Sequence, residues 1–224
     1  MSETDSSAPR QSAAKRAVQS LQKGNPVLIH DFDEREDETD IIFPAEAVTP
    51  ADVARLRNDA GGLICVAISH EIAETLELPF LADVISHPCA ETQDLAYDDR
   101  SSFSLPINHR DTTTGIPDNE RAYTIAELGN IVRNPNMEEF SSEFRSPGHV
   151  HLLKGARGGL DQRCGHTELS LCLAEKANWG PAVVVCEMLD DRTGEAATRQ
   201  DAIKYARKND LEFVEGREIL RELL

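Results

Sequence analysis

Two stretches of this chain carry no polar residue at all: Leu63-Ile64-Cys65-Val66-Ala67-Ile68 and Ala182-Val183-Val184-Val185-Cys186. Neither alternates, both are rich in β-branched residues, and both are far shorter than the roughly 20 residues of a membrane-crossing helix. They read as buried strands. Weaker strand signals lie at 26–30, 41–43, 103–107, 150–153 and 211–214. Helix signals alternate with them. Ala14, Ala17, Val18 and Leu21 share one face, with Gly24 as the stop. Thr49-Pro50-Ala51-Asp52 has the N-cap, proline and acid of a helix start, closed by Gly61-Gly62. A short helix from Ser69 stops before Pro79, and Thr124-Ile125-Ala126-Glu127 reads as a capping box. Further helices are expected over 166–177, from Thr198 to about 208, and at the C-terminus, while 81–101 reads as a long loop. No break in composition divides the chain. The expected fold is therefore a single α/β domain (α+β mixed), a mixed sheet with helices packed on it, over residues 12–224. A disordered tail is expected over 1–11.

Charge narrows the function. Among 224 residues, 40 acids face 23 bases, a net charge of −17, which makes the chain a poor generic partner for nucleic acid. The bases are skewed, six Lys against seventeen Arg. An acidic, lysine-poor, halophile-like surface suits a salt-rich cytoplasm, where screening removes self-repulsion. Residues 1–11 lack the apolar centre of a secretory signal, and no apolar run is long enough for a membrane span, so a cytoplasmic protein is expected. The five Cys form no CxxC pair and read as reduced thiols, with neither a disulfide frame nor a zinc knuckle.

Five segments carry chemistry. Between the first two strands, Asp31 to Asp40 holds seven acids and one base, Arg35. The plain reading is a solvated loop, but close flanking strands tether it. Dense carboxylates at a strand edge suit a hard divalent cation such as Mg²⁺. Arg163-Cys164-Gly165-His166-Thr167-Glu168 opens a helix, where N–H groups and the dipole favour an anion, and Arg163 adds a forked cation suited to phosphate. His166 is a candidate metal ligand, against the plainer reading of a surface residue beside a cap. Glu187 follows an apolar strand, where α/β proteins place ligand-binding groups. In Pro147-Gly148-His149-Val150-His151, which leads into a strand, only one of His149 and His151 is expected to line the site. The fifth segment is Arg110 to Gly115, a polar hydroxyl-rich turn with Asp118 and Arg121 downstream.

Taken together and in order, these segments resemble the 3,4-dihydroxy-2-butanone 4-phosphate synthases of riboflavin biosynthesis. The likeness rests on Asp31-Phe32-Asp33-Glu34-Arg35-Glu36-Asp37-Glu38-Thr39-Asp40, Thr113-Thr114-Gly115-Ile116, Pro147-Gly148-His149-Val150, Arg163 to Glu168, and Cys186-Glu187, and runs roughly from 12 to 220. Two positions depart from the family, Asp37 and Thr39, where it usually has Asn and Gly; Thr39 implies no positive φ there. There is no second half resembling GTP cyclohydrolase, so a monofunctional form is expected.

The resemblance implies conversion of D-ribulose 5-phosphate to 3,4-dihydroxy-2-butanone 4-phosphate and formate, through enediols and a skeletal rearrangement, with two divalent ions (Mg²⁺ or Mn²⁺) per site. It implies Glu36 and His166 as metal ligands, Arg35 and Asp40 on the sugar, and Arg163, Cys164, Gly165, His166 and Thr167 around the phosphate. Glu36 and Glu187 also count among the substrate contacts. His149 and Glu187 are implied in proton transfer. Glu38, Cys65, Thr114 and Asp118 are further candidates for lining the site. A homodimer with sites at its interface is expected, without nucleic-acid or membrane partners. Two other classes compete: a nucleotide-binding or RNA-modifying module of the related fold, and a zinc hydrolase. The first should lack the Arg-Glu-x-Glu and Gly-His-Thr-Glu pair, and the second needs more nitrogen or sulfur ligands than the motifs supply.

Overall fold

A computed structural model describes residues 11–90 and 100–224. The tail expected over 1–11 falls outside it except for Gln11, as does the 91–99 part of the expected loop. The first elements are α1 (Ala13–Gln22), β1 (Val27–His30), β2 (Thr39–Pro44), α2 (Pro50–Arg55), β3 (Cys65–Ile68) and α3 (His70–Thr75). They continue with α4 (Leu81–Val84), β4 (Phe103–His109), α5 (Asp118–Ile131), α6 (Met137–Glu143), β5 (Phe144–Lys154) and α7 (His166–Lys176). The last are β6 (Ala182–Glu187), a two-stranded ribbon of β7 (Leu189–Asp190) and β8 (Glu195–Ala196), α8 (Arg199–Lys208), β9 (Glu212–Glu215) and α9 (Gly216–Leu223).

Seven strands form one mixed sheet in the order β4-β5-β3-β6-β2-β1-β9. β3 and β6, which hold the two polar-free runs, are antiparallel neighbours at its centre, with Cys65 opposite Val185 and Val66 opposite Val184. Side chains alternate between the faces of a strand, and here both faces are dry. Val66, Val184 and Cys186 join one core with Val53, Leu56, Ile125 and Leu128. Cys65, Ala67, Val183 and Val185 join the other with Ala14, Leu21, Leu169 and Ile219. Helices therefore cover the sheet on two sides, as expected for a mixed sheet of apolar central strands.

Local signals explain most boundaries. Thr49 and Asp52 form a reciprocal capping box at the start of α2, which continues through a wider π-type turn over Leu56–Ala60. Ser69 caps α3 and Thr198 caps α8. Three expectations need correction. The capping box expected at Thr124 is none: α5 begins six residues earlier, and the buried Thr124 hydroxyl accepts the His109 N–H at 3.1 Å. The start at Asp118 is favoured by acids in its first turn and by Glu120 bonding back to Thr114 and Gly115. The long loop expected from 81 holds α4 and a 3₁₀ turn over Pro88–Ala90. The strand expected at 150–153 is the end of the eleven-residue β5, so His149 lies inside a strand and not ahead of one. There the register with β4 jumps from Ile107↔Val150 to Asn108↔Arg145, which loops out residues 146–149.

Candidate active site

The acidic segment turns between β1 and β2 around one carboxylate. Asp31 is buried and its oxygens accept from Arg35 Nη1 at 3.0 Å, Glu36 N at 3.2 Å and Glu38 N at 3.1 Å. This hub aims Glu36 inward, where its Oε2 lies 3.1 Å from His166 Nδ1 and 2.9 Å from Arg35 Nη1. His166 heads α7 and is buried; its Nε2 is 3.2 Å from the Glu38 carbonyl and 3.8 Å from Asp40 Oδ1. Asp40 pairs across the sheet with Glu187, so both carboxylates stand at the same level of β2 and β6. Glu187 Oε2 accepts the Leu63 N–H at 2.8 Å, and Gly62 leaves room for it: a β-carbon there would lie 2.4 Å from that oxygen.

A second glycine sets the other half of the site. Gly165 is the N-cap of α7 and offers no side chain to its first turn, whose N–H groups lack intrahelical partners. A β-carbon at Gly165 would lie 2.6 Å from Arg163 Nη1 and 2.8 Å from Arg35 Nη2, so two guanidinium groups converge on this helix start. Arg163 is braced by the buried Glu168, whose Oε2 accepts from Nη1 at 2.9 Å while Oε1 accepts the Ala156 N–H at 2.9 Å. A helix terminus suited to an anion thus abuts the carboxylate cluster.

Electrostatics reflect the crowding. Burial, reinforced by Glu187, Glu36 and Glu38 and opposed by His166, pushes the Asp40 carboxyl up to about 8. Burial, then Glu36 and Glu187, raises Glu38. Burial would lower His166, but Asp40, Glu36 and Asp31 outweigh it and hold the imidazole up at about 9. The Cys65 thiol is driven well above its ordinary value by burial and by Glu187 and Asp40, so it lines the site as a protonated group. The ligand atoms of Asp31, Glu36 and His166 lie within 4.8 Å of one another, and the buried Asp40 Oδ1 has no hydrogen-bond partner. Carboxylate oxygens plus one imidazole, with negative charge in surplus, fit a divalent cation.

These groups surround a cavity of about 180 Å³ lined by Arg35, Glu36, Asp40, Cys65, Arg163, His166, Thr167 and Glu187, together with Ser101 to Phe103, Leu153 and Val185. Cys164 and Gly165 adjoin it in the chain, and Glu38 meets it through its carbonyl. A larger cavity, about 540 Å³, opens past Glu168 beside His70, Gly155, Trp179 and Leu224, but it contains none of Arg35, Glu36, His166 or Glu187. The candidate residues Arg35, Glu36, Asp40, Arg163, His166 and Glu187 all line the smaller one.

Three candidates lie elsewhere in the single chain. His149 is exposed in the looped-out part of β5, its N–H on Asn108 Oδ1 at 2.8 Å and its Nδ1 3.2 Å from Asn108 Nδ2. Asn108 Nδ2 also donates to the Thr114 carbonyl at 3.1 Å, so His149 and Thr114 share one patch. Asp118 is taken up by Arg57 and Arg121. The expectation that one of His149 and His151 lines the site is not met by the cavity of one chain. Residues two apart on a regular strand share a face, and His151 stands opposite Cys65 yet outside the lining. Sequence reasoning missed Asn108, the organiser of that patch, and gave Glu168 no role; nothing in the chain marks Asn108 apart from its nearness to the threonine-rich turn.

Guanidinium groups at a helix start beside a carboxylate–imidazole cluster, on a mixed α/β sheet, define the site of an α/β protein suited to an anionic ligand and a divalent cation. The family of 3,4-dihydroxy-2-butanone 4-phosphate synthases matches residues 15–222. A protein of that name from Methanosarcina mazei is 48% identical over 222 residues, covering 93% of this chain and 90% of the relative. A probable bifunctional riboflavin biosynthesis protein from Oryza sativa is 31% identical over 211 residues, but the chain spans only 37% of its length. A crystal structure of 3,4-dihydroxy-2-butanone 4-phosphate synthase in complex with two magnesium ions superimposes with a TM-score of 0.80 at 26% identity, covering 93% of this chain and 95% of that one. The chain belongs to the 3,4-dihydroxy-2-butanone 4-phosphate synthase family. The activity expected from the sequence, conversion of ribulose 5-phosphate in riboflavin biosynthesis, is that family's activity, and nothing among these relatives favours the nucleotide-binding alternative.

Proposed function

We propose that this chain converts D-ribulose 5-phosphate to 3,4-dihydroxy-2-butanone 4-phosphate and formate at the Glu36–His166 cavity, with Mg²⁺ or Mn²⁺, as a cytoplasmic homodimer. The observation that carries it is adjacency: the Glu36 carboxylate and His166 imidazole, 3.1 Å apart, sit one residue from Gly165, where Arg35 and Arg163 converge. A phosphate held at that helix start has its sugar carbons beside the carboxylates. Among the described residues, no helix is long and apolar enough to cross a membrane.

Arg163, Arg35 and the first-turn N–H groups of α7 bind the phosphate, and Thr167 adds a hydroxyl. Glu36 and His166 would hold the divalent ions, which supply positive charge that lowers the pKa of neighbouring substrate hydroxyls. Asp40 and Arg35 orient those hydroxyls. Glu187, fixed by the Leu63 N–H, is placed to take or return a proton at its Oε1 or Oε2. His149, oriented by Asn108, completes the proton-transfer set from the partner subunit of the dimer, since it stands outside the cavity of its own chain. The decisive assay is formate release from ribulose 5-phosphate with Mg²⁺ against EDTA. Release that requires the cation supports this reading; none under any divalent ion overturns it.

A further inference from the structure

The acidic loop has an outer flank that the catalytic cavity does not use. His30 ends β1 with its side chain 2% exposed. Its Nδ1 lies 3.0 Å from the Thr39 hydroxyl oxygen, while its buried Nε2 has no hydrogen-bond partner. That nitrogen faces Asp37 Oδ1 at 3.3 Å, and Asp33 brings a third ligand atom, all three lying within 4.8 Å of one another. Asp37 adopts φ 55°, in the left-handed region, which turns it away from its neighbour. Glu36 reaches inward to His166 and Asp37 reaches outward to His30.

With Nδ1 engaged by the Thr39 hydroxyl, Nε2 is the ring atom left for a further ligand, and it is the one that lies against Asp37 and Asp33. Ligands about 2.1 Å from one ion stand at most about 4.2 Å apart. Asp33 and Asp37 are 65% and 64% exposed and free to rotate into that spacing. Arg217, 3.4 Å from Asp33, is the competing partner that Asp33 would leave.

We propose that His30, Asp33 and Asp37 form a second cation site, separate from the catalytic one, that takes a divalent first-row transition ion and clamps the acidic loop to the end of β1. One imidazole with two carboxylates favours Mn²⁺ over Mg²⁺, and water completes the exposed side. The test uses Mn²⁺ on the full chain in a Glu36→Gln background, which weakens the catalytic cluster, with and without Asp33→Asn and Asp37→Asn. Both aspartates are exposed and Asn tolerates the left-handed backbone, so folding should survive. Free Mn²⁺ measured by electron paramagnetic resonance should show one bound equivalent fewer in the triple variant than in Glu36→Gln. The same loss should appear between the parent and Asp33→Asn/Asp37→Asn, which keeps the test independent of Glu36's role. The His30 imidazole resonance should be broadened away by less than one equivalent of Mn²⁺ in Glu36→Gln and persist in the triple variant. Equal binding with and without the two aspartates, or a His30 resonance that survives a full equivalent, overturns the proposal.

Discussion

Gly165→Ala separates the cost to the fold from the cost to the site. The backbone at Gly165, φ −94° and ψ 173°, is extended, so alanine enters without strain, and an N-cap change from Gly to Ala costs on the order of 1 kcal/mol or less. The nearest neighbours of the new β-carbon outside its own turn are side-chain atoms. It meets Arg163 Nη1 at 2.6 Å, Arg35 Nη2 at 2.8 Å and Arg35 Cζ at 2.9 Å. Ordinary contact begins near 3.5 Å, so each guanidinium must withdraw by roughly 0.6 to 0.9 Å. Neither moves freely: Arg163 is held by Glu168 at 2.9 Å and Arg35 by Asp31 at 3.0 Å. Moving them misaligns the charge-assisted bonds a phosphate would accept, each worth about 1.5–3 kcal/mol. Loss of one weakens substrate binding about 10- to 100-fold, at about 1.4 kcal/mol per factor of ten. The assay is KM for ribulose 5-phosphate from formate release, with a thermal melt alongside. A KM within twofold of the parent, in a protein that melts normally, refutes the placing of the phosphate between these two arginines.

Glu36→Gln keeps the shape of the side chain but removes the charge facing His166. Formate production should fall by orders of magnitude with the fold intact, and near-normal turnover at saturating Mg²⁺ removes Glu36 from the metal site. His149→Asn and Glu187→Gln should each bind substrate with Mg²⁺ by calorimetry yet release little formate, the double variant being barely worse than either. Normal turnover in one of them clears that residue. Asp40 and His166 are both raised in the folded chain, so each contributes stability that is lost as pH rises through about 8 and about 9 respectively. A bound cation competes with those protons, so Mg²⁺ should raise the melting temperature more at pH 9 than at pH 7, and an equal rise at both argues against the pairing. Finally, a −17 chain should melt higher as KCl screens its acids, and a midpoint unmoved from dilute buffer to molar KCl sinks the expectation of a halophile-like surface.

The sheet centre was legible because β3 and residues 182–186 of β6 lack any polar residue, and burial on both faces leaves such runs few alternatives. The α2 start was legible because Thr49 and Asp52 satisfy each other locally. Thr124 misled for the same reason it was noticed: a hydroxyl three residues before a glutamate looks like a cap, but tertiary structure gives that hydroxyl to His109. The catalytic cluster was readable by resemblance, since its residues fall in compact motifs. The Asn108 patch was not, because what singles it out is a contact between residues 41 apart in the chain, His149 with Asn108, that no local spacing records.

Why so acidic a loop holds together at all follows from how its charges are divided. Asp31 is sunk in the core and takes three donors, two of them backbone N–H groups that exist only when the loop is turned back on itself. Arg35 lies against that hub and against Glu36, so the one base of the loop neutralises charge at the point where the chain bends. The inward acids Glu36, Glu38, Asp40 and Glu187 are left with His166 in their midst, and their mutual repulsion is visible in the raised Asp40 and Glu38 carboxyls. A carboxyl that is hard to ionise in the folded chain ionises readily beside a divalent cation. The same crowding that weakens the cation-free site therefore becomes attraction once a cation enters, and it makes the affinity for that cation grow with pH.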